Sequence, residues 1–367
     1  MKNQKKIYVT EPFLPPLEEC LPYFEEIWKS KILTNNGPFL QKFEKHLCSY
    51  FEVDNISVVN NATSGLMLAC KALGLSGEII TTPFSFIATS HVLDWIGLKP
   101  VFTDVDPVYG NIIPDLVRNN ITSKTGGILA THNFGFPAQI GELQKIAKEF
   151  NIPLIFDAAP ATGIKYKDKH LISYGDASVL SFHATKVFTT FEGGVIHSEN
   201  QDILNKINLF RNFGIVDENT VGGPGINAKM NEFQSAIGLV QLKYIKKIIR
   251  ERKARYEKYI KQLSNNDGLI IPKLPEGLDY NFAYFPVYLK NEVNHREVII
   301  EKLKLKNIYC RKYWSPLITE QKHYMKIRNE FPNASMLANN VLSLPISSNL
   351  SDDSINIVCN IINKEIK

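Results

Sequence analysis

The 367-residue chain has only five cysteines, Cys20, Cys48, Cys70, Cys310 and Cys359, spread far apart with no C-x-x-C pair. That pattern excludes a disulfide framework and a cysteine-ligated zinc, and it fits reduced thiols in a cytoplasm. An excess of one charge is also lacking. The 42 basic and 37 acidic side chains leave a net charge of +5, too little to argue for nucleic acid. No apolar run approaches the roughly 18–20 residues of a membrane span. The lysine-bearing opening MKNQKKIYVTEPFLPP leads into no apolar h-region, so no signal peptide is expected. Eight histidines show no H-x-x-x-H spacing, and no G-x-G-x-x-G follows a predicted strand. A metal hydrolase and a dinucleotide enzyme therefore have little support.

What is present is the composition of an ordinary globular protein, 44% hydrophobic and 22% charged. There are no repeats and no low-complexity segments. From about residue 55 to 200, short β-rich runs alternate with helical patterns, the mark of an α/β fold with a mainly parallel sheet. SVVNNATSG, GEIITTP, KPVFTDVD, GGILATHNFG, IPLIFDAA and ASVLSFHA read as strands. LMLACKAL, FIATSHVLDWIG and IGELQKIAKEFN read as helices between them. Each strand is apolar nearly throughout, as expected when helices cover both faces.

A long helix is predicted from near Asn231, with Phe233, Ile237, Val240, Tyr244 and Ile248 in one stripe. Its basic continuation, KKIIRERKARYEKYIKQ, reads as a solvated face. Beyond Asn265, NFAYFPVYL reads as a strand, and HREVIIEKLKLKN and SDDSINIVCNIINKEI as helices. The expected division is a large domain over residues 1–240 and a smaller C-terminal α+β domain over 241–367.

Four segments carry chemistry. NATSG (Asn61 to Gly65) stands at a strand-to-helix junction, where open N–H groups and the helix dipole accept a phosphate. Thr63 and Ser64 add hydroxyls there, and the segment serves equally as an ordinary N-cap. Asp157, after IPLIF, falls at a strand's C-terminal end, the ligand-binding edge of open α/β sheets. A carboxylate there needs a partner, such as a protonated pyridine nitrogen, or else it caps the next helix. Phe84 and Phe86 in PFSFIATS offer a ring face for stacking, or core packing. Lys186 stands in SFHATKVFTTFEGG, five residues after Ser181 and just before Gly193-Gly194. A lysine at that strand edge is placed as a nucleophile toward an aldehyde and as a proton carrier. Together the four describe pyridoxal 5'-phosphate: phosphate cradle, ring-nitrogen partner, aromatic face and amine.

NATSG, PFSFIATS, IFDAAPATG, LSFHATKVFTTFEGG and GINAKMNEFQSAIGLVQL, in this order, resemble the DegT/DnrJ/EryC1/StrS sugar aminotransferases. The similarity runs from ILTNNGPF to RKYWSPL. It implies an aspartate-aminotransferase-like fold (fold type I) built as a homodimer with active sites at the subunit interface. By resemblance Lys186 carries the cofactor, Asp157 partners its ring nitrogen and Phe86 stacks on it. Thr63, Ser64 and Ser181 match phosphate contacts, and Asn227 matches an asparagine reaching the phosphate from the neighbouring subunit. Pro160 departs from the pattern, because relatives carry a polar residue there near the cofactor's phenolic oxygen.

Within the family, IYVTEPFLPPLEE, LTNNGPF and SFHATKVF bring the chain nearest to members of O-antigen (lipopolysaccharide) biosynthesis that aminate C4 of dTDP-4-keto-6-deoxy-D-glucose. L-Glutamate is the implied donor. A 3-aminotransferase acting on a dTDP-3-keto-6-deoxyhexose is the close alternative, and a non-catalytic cofactor-binding regulator a more distant one. Lys229, Tyr313 and Trp314 are candidates for the nucleotide-sugar side of the pocket. His183, close to Lys186, reads either as a packed histidine or as a catalytic one.

Overall fold

The computed structural model describes residues 6–290, 293–325 and 330–366. Helices α1 (Leu17–Ser30) and α2 (Pro38–Phe51) open the chain. Strand and helix then alternate: β1 (Ser57–Val59), α3 (Ala62–Ala72), β2 (Glu78–Thr81), α4 (Ala88–Trp95) and β3 (Lys99–Phe102). They continue through α5 (Pro114–Asn119), β4 (Thr125–Thr131), α6 (Ile140–Phe150) and β5 (Leu154–Asp157). A small hairpin, β6 (Lys165–Tyr166) and β7 (Lys169–His170), precedes β8 (Ala177–Ser181) and β9 (Gly194–His197).

Seven strands form the central sheet in the order β1-β9-β8-β5-β4-β2-β3. Strands β3, β2, β4, β5 and β8 pair in parallel, and β9 runs antiparallel to both its neighbours. Side chains alternate between faces along a strand. In β5, Leu154 and Phe156 join one apolar cluster with Phe43 of α2 and Leu143 of α6. Ile155 joins the other with Leu66 of α3 and Ile207 of α7 (Gln201–Phe210). Both faces are therefore covered, which is why the strands read as unbroken apolar runs. Each such large side chain contributes roughly 1.5–3 kcal/mol on burial.

The exposed hairpin β10 (Ile215–Asp217) and β11 (Thr220–Val221) leads to α8 (Glu232–Leu242) and α9 (Ile245–Leu263). The predicted single helix is thus two, parted at Lys243 and Tyr244. No proline or glycine marks the break. Both parting residues instead bond Glu19 of α1, across which α8 packs. The basic run of α9 is solvated at Lys246, Lys247, Arg250 and Lys253, but Arg252 is only 2% exposed.

The C-terminal part adds β12 (Leu269–Ile270), β13 (Leu278–Asp279), β14 (Phe285–Leu289), α10 (Val293–Lys304), α11 (Pro332–Asn340), β15 (Val341–Leu344) and α12 (Asp352–Glu365). Strands β12, β14 and β15 form an antiparallel sheet, and β13 pairs with β6. The NFAYFPVYL strand begins only at Phe285, which leaves residues 280–284 irregular. Among the described residues, no helix is long and apolar enough to cross a membrane.

One motif has a local explanation. The Glu232 carboxylate, 1% exposed, accepts the N–H groups of Phe39 and Leu40 at 2.8 and 2.9 Å. These are two orphan donors of the α2 N-terminus. A Cβ on Gly37 would lie 2.5 Å from that carboxyl carbon, so the NNGPF turn needs its glycine.

Candidate active site

Strands β5 and β8 are parallel neighbours, so Asp157 and Ser181 emerge at the same C-terminal edge. Asp157 is 8% exposed. Its Oδ2 accepts from Thr89 Oγ1 at 2.8 Å, and its Oδ1 from the Ala159 N–H at 3.2 Å. Thr89, in the first turn of α4, accepts in turn from Ser85 Oγ at 2.8 Å, since its own proton goes to Asp157. Burial pushes the Asp157 carboxyl above its ordinary range, against the pull of these bonds and of the Lys186 charge.

Lys186 follows β8 in a turn closed by its N–H on His183 O at 2.9 Å. Its Nζ donates to Tyr284 Oη at 3.3 Å, from the irregular segment before β14. Ser181 Oγ accepts from the His183 N–H at 3.3 Å. His183 is occupied within its own loop: Nδ1 takes the Thr185 N–H at 3.2 Å, and Nε2 lies 3.4 Å from Glu192. Neither contact is aimed at Lys186.

At the start of α3 the cap is Asn61, whose Oδ1 accepts Ser64 N–H at 2.8 Å and Ser64 Oγ at 3.1 Å. Neither Thr63 nor Ser64 caps the helix. The first-turn N–H groups of Ala62 and Thr63 and the exposed Thr63 hydroxyl remain as donors for an anion. The Gly-Gly pair now has its reason. A Cβ on Gly194 would sit 2.9 Å from Ala62 N, and one on Gly193 2.2 Å from Thr190 Oγ1. The helix start can press onto β9, beside β8, only because Gly194 has no side chain, and Gly193 leaves room for the Thr190 hydroxyl and the Met230 side chain.

The ring of Phe86, 58% exposed, lies 5.9 Å from Trp314. Trp314 Nε1 donates to Asn133 Oδ1 at 2.8 Å, and its ring stacks on Phe134 at 6.2 Å and 12°. Tyr313 lies 4.7 Å from Trp314 and 5.9 Å from Tyr284, so rings run from Lys186 to Phe86. Phe86, Tyr313 and Trp314 also line a cavity of about 810 Å³ with His91, Arg311 and Lys312.

Lys229 does not join them within one chain. It lines a separate cavity of about 550 Å³ with Asn35, Asn36, Glu44 and Arg211, its ammonium 4.9 Å over the Phe213 ring. Burial and the nearby Arg211 charge lower its pKa. Asn227 is exposed, and its carbonyl accepts from Asn60 Nδ2 at 3.2 Å, one residue before the α3 cap. The Pro160 carbonyl accepts from Asn281 Nδ2 at 2.8 Å, while its ring offers no donor.

Sequence reasoning missed Thr89, Asn133, Asn281 and Tyr284. Thr89 lies inside PFSFIATS and was open to discovery as a hydroxyl one helical turn beyond Ser85. The other three act across 98 to 181 residues of chain and carry no local signal.

The residues fit pyridoxal phosphate. A buried carboxylate without a full counter-charge suits a protonated ring nitrogen. Donors at a helix start suit a phosphate, an exposed ring suits stacking, and an amine stands at the same edge. Fold and site define a pyridoxal-phosphate-dependent aminotransferase of fold type I.

The DegT/DnrJ/EryC1/StrS aminotransferase family matches residues 17–363, and the chain belongs to it. It is 42% identical to the dTDP-4-amino-4,6-dideoxy-D-glucose transaminase of Shigella dysenteriae, covering 99% of this chain and 100% of that protein. It is 41% identical to the Escherichia coli enzyme of the same name over 96% of each. Among solved structures, DesI, determined in the presence of its TDP-sugar product, superposes with a TM-score of 0.93 at 32% identity. That match covers 98% of this chain and 93% of DesI.

Proposed function

We propose that the chain transfers the amino group of L-glutamate to C4 of dTDP-4-keto-6-deoxy-D-glucose, giving dTDP-4-amino-4,6-dideoxy-D-glucose for a cell-surface polysaccharide. The observation that carries the aminotransferase chemistry is the meeting of Lys186 and buried Asp157 at one sheet edge, beside the α3 start. The full-length identity of 42% to a transaminase of that name supports the substrate.

Bound at this edge, pyridoxal phosphate supplies the electron sink for the carbanion at the donor's α-carbon. Lys186 Nζ takes the proton from that carbon, and it acts in the reverse sense when the keto sugar is aminated. Asp157 holds a positive charge at the ring nitrogen, and Thr89 and the Ala159 N–H hold Asp157. The α3 start with Thr63, Ser64 and Ser181 binds the phosphate, and Phe86 covers one ring face. Asn227 completes the phosphate site across a homodimer interface, Tyr313 and Trp314 bind the nucleotide sugar, and Lys229, which lines another cavity within one chain, reaches that sugar across the same interface. The large and small domains divide near residue 240.

The test mixes purified protein, pyridoxal phosphate and glutamate with dTDP-4-keto-6-deoxy-D-glucose and locates the new nitrogen by NMR. An amine on C4 is the expected result. No product with this sugar, but amination of the 3-keto isomer, would move the assignment to C3.

A further inference from the structure

By the family resemblance Pro160 stands near the cofactor's phenolic oxygen, where its ring offers no donor, and the chain supplies a hydroxyl beside Lys186. In pyridoxal phosphate the phenolic oxygen sits on the ring carbon next to the one bearing the aldehyde. A nitrogen joined to that aldehyde carbon and the phenolic oxygen are therefore within hydrogen-bond distance of each other. A hydroxyl within hydrogen-bond distance of the lysine nitrogen is therefore placed to reach that oxygen as well. Tyr284 Oη lies 3.3 Å from Lys186 Nζ. It accepts from the amine with a lone pair, so its own proton stays available to donate.

We propose that Tyr284 is a cofactor-binding residue whose hydroxyl donates to the phenolic oxygen of pyridoxal phosphate and receives the Lys186 amine when that amine is free. The inference rests on the pyridoxal phosphate reading of the site.

The neighbouring polar groups are otherwise committed. Asn281 spends its amide on the carbonyls of Pro160 and Thr162, both at 2.8 Å, and its Oδ1 on the Ala283 N–H. Thr89 is bonded to Asp157. Tyr284 is also held firmly, as a binding group must be. Its ring lies between Phe134 at 5.5 Å and Tyr313 at 5.9 Å. Its backbone follows two carbonyls, of Phe282 and Ala283, that accept from buried Arg252.

The experiment compares wild type, Tyr284→Phe and Tyr313→Phe as holoenzymes. Three quantities are read: the pH midpoint of the bound cofactor's visible absorbance, its dissociation constant by equilibrium dialysis, and borohydride trapping on Lys186 by mass spectrometry. A donor to the phenolic oxygen stabilises the more negative, deprotonated chromophore, so its loss moves the midpoint up. In Tyr284→Phe we expect a rise of about one pH unit or more and a dissociation constant about tenfold weaker. Trapping on Lys186 should persist. Tyr313→Phe removes the adjacent hydroxyl and should leave the midpoint in place. The charged and titratable groups around Tyr284, which are Lys186, Tyr280, Tyr313 and Arg252, all remain in Tyr284→Phe. An unmoved midpoint and affinity in Tyr284→Phe, with trapping intact, would overturn the proposal, and so would equal shifts in both variants. Wild type that traps no cofactor on Lys186 would instead remove the reading beneath it.

Discussion

The edge of the central sheet and the segment 280–284 meet at Lys186, and they are held by opposite means. Asp157 and Ser181 are placed by a ladder of parallel backbone pairs that extends through β4, β5 and β8. Residues 280–284 have no ladder. Tyr280 Oη donates to Phe134 O at 2.7 Å, Asn281 bridges Pro160 and Thr162, and Arg252 serves the carbonyls of Phe282 and Ala283. In a ladder, many equivalent bonds share the work, and no single side chain fixes a position. In the segment each position depends on one side chain. Such a bond contributes about 1 kcal/mol net, but leaving its buried partner unmatched costs roughly 1–3 kcal/mol. Chemistry sits on the robust element and fine positioning on the fragile one.

The largest effect should come from Lys186→Ala. It removes the proton carrier while breaking one half-buried contact, so turnover falls by roughly 10⁴-fold or more. The unfolding free energy from urea denaturation should stay within about 1 kcal/mol of wild type. Near-normal turnover would sink the assigned role. A large loss of stability would show that the edge is no more robust than the segment.

Arg252→Ala probes the other side. Its guanidinium is buried and meets carbonyls of Phe282, Ala283 and Ile346 and the Thr10 hydroxyl, with burial lowering its pKa to about 10. Truncation strands several carbonyls, and stability should fall by about 3 kcal/mol in urea denaturation. A change below about 0.5 kcal/mol would mean the segment holds itself, and the contrast would fail.

The same contrast explains what was legible in the sequence. Lys186, Asp157 and the α3 start lie beside apolar strand runs whose faces are both covered, so pattern alone brought them to one edge. The two-fold break of the helix at Lys243 was hidden because it follows from contacts with Glu19, far away in the chain. Arg252 was lost in a basic run where its neighbours are solvated, and Tyr284 in a run that looks like strand to its first residue. Asn281, Asn133 and Tyr284 act through partners more than 90 residues distant. Local periodicity carries no trace of such pairings. Lys229 is the converse case: within one chain it lines a different cavity from Tyr313 and Trp314, so its proposed place at the sugar depends on a second subunit, which no local pattern displays.

Asp157→Asn sharpens the comparison with the smallest effect. Burial raises the Asp157 pKa in the folded state, so folding favours the protonated carboxyl. The stabilising side of this shift is present below the unfolded value near 3.9 and is lost as pH rises through the folded value. At neutral pH the ionised carboxylate therefore costs the cofactor-free protein stability, a cost that a positive ring nitrogen offsets when bound. Asparagine removes the charge with little change in shape. Cofactor-free Asp157→Asn should be more stable than wild type near pH 7, with the gap closing below about pH 4. It should also bind pyridoxal phosphate more weakly. Thermal denaturation at the two pH values checks the sign. A variant less stable at both would mean that Thr89, the Ala159 N–H and Lys186 already outweigh the burial of the charge. A stabilised variant would show that the ladder's rigidity is what lets this edge keep a carboxylate the fold alone would rather discharge.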